Sequence, residues 1–245
     1  MKKKTIILGH RGYNARFPEN TLVSFRKALE CGADGFECDI QKTSDGHFIV
    51  FHDAAADRLT GVCGSINSMT LADIKQLRVD GEEIPTLVEM LDEFKDCYIN
   101  IELKGDAIIE KDCPEIAAIV RQYLPFERVM ISSFNRSLLP YFKKQGFMIG
   151  LLIGWSYRKQ GVWGVGKEVL RLKPNFLNLP TSVFGFYMEI YLRMFLLILS
   201  WCGIGVVWWT VNSKHEFLRT FRNASYIITD EVEAIRSLLE RYQPK

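Results

Sequence analysis

The sequence predicts an α/β fold: one (β/α)8 barrel, a TIM barrel, spanning residues 1–245, with an extra antiparallel hairpin strand and a small insertion after it. Strand-like and helix-like segments alternate from end to end, with no low-complexity segment and no long linker. Nine segments read as strands, at 5–9, 34–40, 47–52, 98–103, 128–132, 148–153, 176–179, 205–211 and 226–229. One of them cannot belong to a parallel barrel. The link between 34–40 and 47–52 is "QKTSDG", six residues with a Ser-Asp-Gly turn, whereas a parallel crossover takes roughly a dozen residues or more. That pair is therefore a hairpin, and eight strands remain to close a barrel. A doubly wound open sheet is the alternative, but no glycine-rich dinucleotide fingerprint supports it.

The elements follow in order. The apolar run Thr5 to Leu8 exits on "GHRG", and the first helix (21–31) takes Asn20 as its cap and Gly32 as its stop. Further helices are expected at 86–95, 114–124, 136–145, 162–172, 187–202, 213–222 and 231–241. Residues 54–84 fit neither period and form the insertion, with a short helix near Thr70–Leu77. From Met194 to Ser213 no residue is charged, which reaches the length of a membrane span. Gly203 and Gly205 interrupt that stretch, and "IGVVWWTV" has the β-branched and aromatic content of a strand. A barrel helix followed by a barrel strand is expected there, and no transmembrane span.

Composition narrows the class. A net charge of +2 and a pI of 8.2 create no field that would attract nucleic acid. Six cysteines without metal spacing or disulfide density read as reduced thiols. "MKKKTIIL" begins like a signal peptide, but its apolar region stops after four residues at Gly9-His10. A cytoplasmic location is the expectation, with membrane association as an addition to it.

In a barrel the chemistry sits at the C-terminal ends of the strands. The sequence places His10 and Arg11 there on the first strand, Glu37 and Asp39 on the second, and His52-Asp53 at the end of the hairpin strand. Glu102 and Lys104 follow on the strand after the insertion. Residues two apart share a strand face, so Glu37 pairs with Asp39 and Glu102 with Lys104. Three carboxylates at one mouth repel unless a cation holds them, and hard oxygen ligands suit Mg²⁺ or Ca²⁺ better than zinc. Each residue taken singly reads as a solvated strand end; their joint placement makes the case. His47, in a polar turn, and His215, early in a surface helix, read as ordinary surface residues.

In order and over nearly the whole chain, "HRG…PENT", "ECDIQKTSDGHFIVFHD", "IPTL", "IELK", "ISSF" and "WTVN…IITD" resemble the glycerophosphodiester phosphodiesterase family. The resemblance implies a metal-dependent enzyme that hydrolyses glycerophosphodiesters, small-molecule substrates, to glycerol 3-phosphate and an alcohol. It implies one divalent cation, Mg²⁺ or Ca²⁺, on Glu37, Asp39 and Glu102, and His10 and His52 as the acid–base pair, His10 as base and His52 as acid. Arg11 and Lys104 become phosphate contacts, and Trp209 a wall of the glycerol pocket. The family's usual proline after the final "ITD" is replaced by Glu231-Val232. A lysophospholipase D using the same site and a catalytically silent binding barrel are the alternatives.

The stretch 150–203 is unusually apolar and aromatic, which leaves the leaving alcohol open. In the helix 187–202, Glu189, Arg193 and Ser200 form a thin polar stripe flanked by Met194, Leu197, Ile198 and Trp201. Loops after strands 148–153 and 176–179 add Trp155, Tyr157, Trp163, Phe184, Phe186 and Tyr187, with Arg158 and Lys159 nearby. Either packing between helices hides these residues, or they form a homodimer interface or a peripheral membrane contact, the dimer being favoured.

Overall fold

The computed structural model describes residues 4–154, 161–182 and 189–243. The chain opens with β1 (Ile6–His10), α1 (Leu22–Glu30), β2 (Gly35–Lys42) and β3 (Phe48–Val50). The insertion contributes α2 (Asp57–Thr60), α3 (Leu71–Ile74), β4 (Arg78–Val79) and β5 (Glu82–Glu83). The remainder alternates: α4 (Leu87–Glu93), β6 (Tyr98–Leu103), α5 (Cys113–Tyr123), β7 (Val129–Ser133), α6 (Leu139–Lys144), β8 (Met148–Leu152), α7 (Gly161–Leu172) and β9 (Phe176–Pro180). Then come α8 (Glu189–Trp201), β10 (Gly205–Trp209), α9 (Lys214–Thr220), β11 (Tyr226–Thr229) and α10 (Val232–Tyr242).

β1, β2 and β6 to β11 pair in parallel with their neighbours, and the β1–β2 pairing closes the ring. β3 pairs antiparallel with β2, Ile40 opposite Val50, so the six-residue link makes a hairpin as its length requires. The short helix of the insertion spans Leu71–Ile74, entered through a Thr70–Asp73 capping box. The two-residue strands β4 and β5 were not expected; their antiparallel pair is too short to carry a period. The insertion packs Phe51, Ala56, Ile66, Ile74 and Val79 into a small core of its own.

Period-two alternation splits the barrel strands between two cores. Outward residues such as Phe36, Ile40, Ile101, Ile131 and Leu177 join the helices in the main cluster. There Phe25 of α1 stacks on Phe36 of β2 at 4.1 Å between ring centroids, with Phe94 edge-on at 5.1 Å from Phe36. Inward residues Leu8, Met130, Val207, Tyr226 and Ile228 fill the lower barrel, with Tyr98 and Phe176 packed beside them. The same alternation carries His10, Glu37, Asp39 and Glu102 to the upper, inward layer.

Two expectations need correction. Thr21, not Asn20, caps α1: its Oγ1 accepts the Ser24 amide hydrogen at 3.2 Å. Asn20 instead takes a left-handed backbone, φ 58°, and its amide is committed elsewhere. Trp163 lies within α7 and not in a loop. Packing between helices does not hide the apolar face of α8: Leu196 and Leu199 are buried, whereas Met194, Leu197, Ile198 and Trp201 are exposed. Trp155, Tyr157, Arg158, Lys159, Phe184, Phe186 and Tyr187 lie outside the described residues. Among the described residues, no helix is long and apolar enough to cross a membrane.

Two glycines test the packing in opposite directions. A Cβ on Gly35 would sit 1.8 Å from the Tyr98 carbonyl oxygen, at the β2–β6 join. Gly35→Ala should therefore lower the thermal midpoint sharply or prevent folding. A Cβ on Gly166, inside α7, meets nothing within 4 Å, so Gly166→Ala should stabilise by up to about 1 kcal/mol. Thermal unfolding followed by circular dichroism measures both.

Candidate active site

β1 ends on His10 and turns through Arg11 (φ 53°) and Gly12 (φ 89°), a left-handed pair that aims the Arg11 amide into the barrel. That amide donates to Glu37 Oε2 at 3.1 Å. Register then does the gathering: His10 lies opposite Glu37 across β1–β2, and Asp39 opposite Glu102 across β2–β6. Ligand atoms of Glu37, Asp39 and Glu102, all three buried, fall within 4.8 Å of one another. Hard oxygens so arranged could hold a cation.

Positive charge surrounds this set. Lys104 Nζ lies 2.8 Å from Asp39 Oδ1 and 2.7 Å from Glu102 Oε1. Arg11 reaches Asp39 Oδ2 from Nε at 3.4 Å and Glu19 Oε1 from Nη1 at 2.7 Å. Asn20 Nδ2 donates to Asp39 Oδ2 at 2.9 Å. Burial works to raise the Asp39 pKa, but Lys104 and Arg11 outweigh it and hold the carboxyl well below the usual range. Glu37 has weaker support: burial first, then the Asp39 charge, push it up to about 8. Burial and Asp39 raise Glu102 as well.

Each histidine rests on an aspartate. His10 Nδ1 lies 2.6 Å from Asp230 Oδ1, and its Nε2 is 4.0 Å from Glu37 Oε2. His52 Nδ1 lies 2.6 Å from Asp53 Oδ1. Both aspartates are held ionised: the His10 hydrogen bond overcomes burial at Asp230, and Arg58 with His52 brings Asp53 down to about 2. An ionised carboxylate only accepts, so Nδ1 carries the proton in both rings and Nε2 is left for other work. Burial lowers the pKa of His52; at His10 the Asp230 hydrogen bond and the Glu37 charge overcome burial and raise it.

These pairs are braced from behind. Asn212 donates from Nδ2 to Asp230 and accepts the Asp230 amide hydrogen at 2.9 Å. Arg58, from α2 of the insertion, donates to Asp53 and reaches Glu19 Oε1 at 2.8 Å, the oxygen that also receives Arg11. The sequence assigns no site role to Asp230, Asn212, Glu19, Asn20 or Arg58. Four of them lie inside the quoted strings "PENT", "WTVN" and "IITD", yet nothing local identifies their partners.

A cavity of about 570 Å³ opens beside the carboxylates, lined by His52, Asp53, Glu102, Lys104, Phe134 and Asn135 among others. Trp209, at the end of β10, stands edge-on to Phe134 at 6.1 Å. The Trp209 Nε1 and Arg11 Nε hydrogens are buried without a hydrogen-bond acceptor among the described residues. The mouth thus gathers His10, Arg11, Glu37, Asp39, His52, Glu102 and Lys104. His47, beside Asp45 in the β2–β3 turn, and His215, in α9, stand apart.

The raised Glu37 carboxyl has a consequence for stability. Its ordinary value is 4.5, so between that pH and about 8 the folded chain keeps a proton that the unfolded chain has lost. The contribution of Glu37 to stability therefore falls as pH rises through this window. In the presence of chelator, Glu37→Gln should therefore gain in thermal midpoint over the wild type, and more at pH 8 than at pH 5. A difference independent of pH would contradict the assignment.

Residues 10–234 match the model of the glycerophosphoryl diester phosphodiesterase family. A glycerophosphodiester phosphodiesterase of Caldanaerobacter subterraneus subsp. tengcongensis is 33% identical, over 97% of this chain and 99% of its own. The crystal structure of the Thermotoga maritima glycerophosphodiester phosphodiesterase superposes with a TM-score of 0.80 at 31% identity, covering 97% of this chain and all (100%) of that one. An Oleispira antarctica phosphodiesterase, in complex with the product sn-glycerol-3-phosphate, shares the fold at TM-score 0.81 and 24% identity, over 97% of each chain. With matched motifs, a closed barrel and this assembled mouth, the chain belongs to the glycerophosphoryl diester phosphodiesterase family of enzymes.

Proposed function

We propose that this mouth hydrolyses glycerophosphodiesters to glycerol 3-phosphate and an alcohol, with His10 and His52 moving the protons and Glu37, Asp39 and Glu102 holding one divalent cation. The observation that carries this reading is the pair of histidines, each anchored through Nδ1 on an aspartate at 2.6 Å, beside three converging carboxylates. The donor set fits a hard cation: three buried acids with converging oxygens face one ammonium and one guanidinium. When bound, such a cation supplies charge neutralisation for the phosphoryl oxygens.

The chain's own residues do the rest. One histidine Nε2 takes the proton of the attacking hydroxyl, from water or from the neighbouring glycerol hydroxyl, and the other gives a proton to the leaving alkoxide. Arg11 and Lys104 contact the phosphate, the first as a planar fork and the second as a point charge. The faces of Trp209 and Phe134 pack against the glycerol moiety and the apolar part of the substrate. That aromatic wall also favours a monoacyl substrate, so lysophosphatidylcholine is the second compound to assay.

Excess chelator should abolish release of choline from glycerophosphocholine, and Mg²⁺ or Ca²⁺ should restore it. Glu37→Gln, Asp39→Asn and Glu102→Gln should each impair the restored activity while leaving the circular dichroism spectrum unchanged. Phosphorus NMR should show glycerol 3-phosphate; phosphocholine as the main product would reverse the orientation of the substrate.

His10→Ala and His52→Ala should each lower kcat by about 10²–10⁴-fold with little change in KM. A nitrophenyl diester separates their roles, because its leaving group needs no proton. With His52 as the acid, His52→Ala regains rate on that substrate and His10→Ala does not. The opposite pattern would exchange the two assignments.

A further inference from the structure

The wall of the barrel is not uniformly polar. Trp163 and Leu170 of α7 are 88% and 75% exposed, and Trp201 of α8 is 90% exposed, with Met194, Leu197 and Ile198 also in solvent. On α8 these residues fall at i, i+3, i+4 and i+7, one continuous stripe; on α7 the two lie two turns apart on one side. The helices connect β8 to β9 and β9 to β10, strands adjacent in the sheet, so they are neighbours on the barrel wall. Basic side chains are interleaved with the apolar ones. Lys167 and Arg171 share the exposed side of α7, and exposed Lys173 follows its end. The single acid of α7, Glu168, is engaged by Arg136 and Arg171, each at 3.0 Å.

Charge decides what covers this face. In a two-fold dimer this patch meets the same patch of a second copy, where Glu168, the only acid α7 could offer to Lys167 and Lys173, is already engaged by Arg136 and Arg171. An anionic lipid surface offers the opposite sign to those cations and an apolar layer to the tryptophans. Geometry agrees. α7 and α8, with 12 and 13 residues, are about 18 and 20 Å long at 1.5 Å per residue. Trp163 stands near the start of α7, by the catalytic mouth, and Trp201 ends α8 at the opposite rim. The two indoles thus sit at opposite ends of the patch.

We infer that the α7–α8 face docks the barrel side-on to an anionic membrane surface, with Trp163 and Trp201 at headgroup depth and Lys167, Arg171 and Lys173 on the lipid phosphates. Docking of this kind is independent of what the site hydrolyses, and it is read without turnover. The full chain should sediment with vesicles of phosphatidylcholine containing phosphatidylglycerol and not with phosphatidylcholine alone, and high salt should release it. Lys167→Ala with Arg171→Ala should weaken binding by about 30-fold, from the cost of removing two basic side chains near such a surface. Leu197→Glu with Trp201→Glu should abolish binding while leaving the thermal midpoint and the hydrolysis of glycerophosphocholine unchanged. Failure to sediment with anionic vesicles, or binding indifferent to both pairs of substitutions, would overturn the proposal. So would light scattering that shows a dimer dissociated by Leu197→Glu with Trp201→Glu, since a second copy would then be the occupant.

Discussion

Three carboxylates buried within 4.8 Å of each other set the terms for the rest of the mouth. Like charges at that distance in a poorly solvated site repel strongly, and no single neighbour neutralises them. Lys104 spans two of the acids, Arg11 approaches from the side, and Asn20 and the Arg11 amide donate the remaining hydrogen bonds. The left-handed turn at Arg11-Gly12 carries the backbone N–H that donates to Glu37. Compensation is uneven. Asp39 receives most of it and is held low, while burial and the Asp39 charge push Glu37 up. Three converging acids so compensated could hold a cation.

The brace behind the mouth ties the insertion to the barrel. Arg58 comes from α2, yet it holds Asp53 under His52 and shares Glu19 with Arg11. One guanidinium therefore orients a histidine on one side and steadies the Arg11 partner on the other. The insertion has a small apolar core of its own, and this ionic strut fixes its position relative to the site. His10 is steadied from the other end of the chain, through Asp230 and Asn212. Two rings held through Nδ1 by separate aspartates turn their Nε2 atoms away from those partners.

Polarity inside the barrel is layered by the same alternation that builds it. Leu8, Met130, Val207 and Ile228 lie beneath the charged layer, over the ring contacts of Tyr226 with Tyr98 and Phe176. Buried Asn100, Ser132 and Asn178 share that interior, Ser132 donating to Asn100 at 3.0 Å and Asn178 lying against the Met130 sulfur. Outside, α10 buries Val232, Ile235 and Leu239 and presents polar residues to solvent, as an outer helix should. α8 departs from that pattern on its exposed side.

Local chemistry carries the information that was legible from the sequence alone. A six-residue link can only make a hairpin, so the count of eight parallel strands follows without coordinates. Residues two apart share a strand face, so Glu37 with Asp39 and Glu102 with Lys104 are committed to common sides before the barrel closes. Motif strings marked His10, Arg11 and His52 for the same reason: each sits at a strand end that its own sequence defines. What remained hidden depends on closure. Asp230 reaches His10 across 220 residues because β11 pairs with β1, and Asn20 turns from capping to hold Asp39 because β2 lies beside it. No period or turn signal records such partners. Nor does hydropathy along α8 reveal which apolar residues the barrel covers, since Leu196 and Leu197 are alike in sequence and differ only in the side of the helix that meets β9 and β10. Covalent neighbours decide the elements and the side each residue faces; ring closure decides which of those residues meet, because contacts between distant strands exist only once the sheet has returned to its first strand.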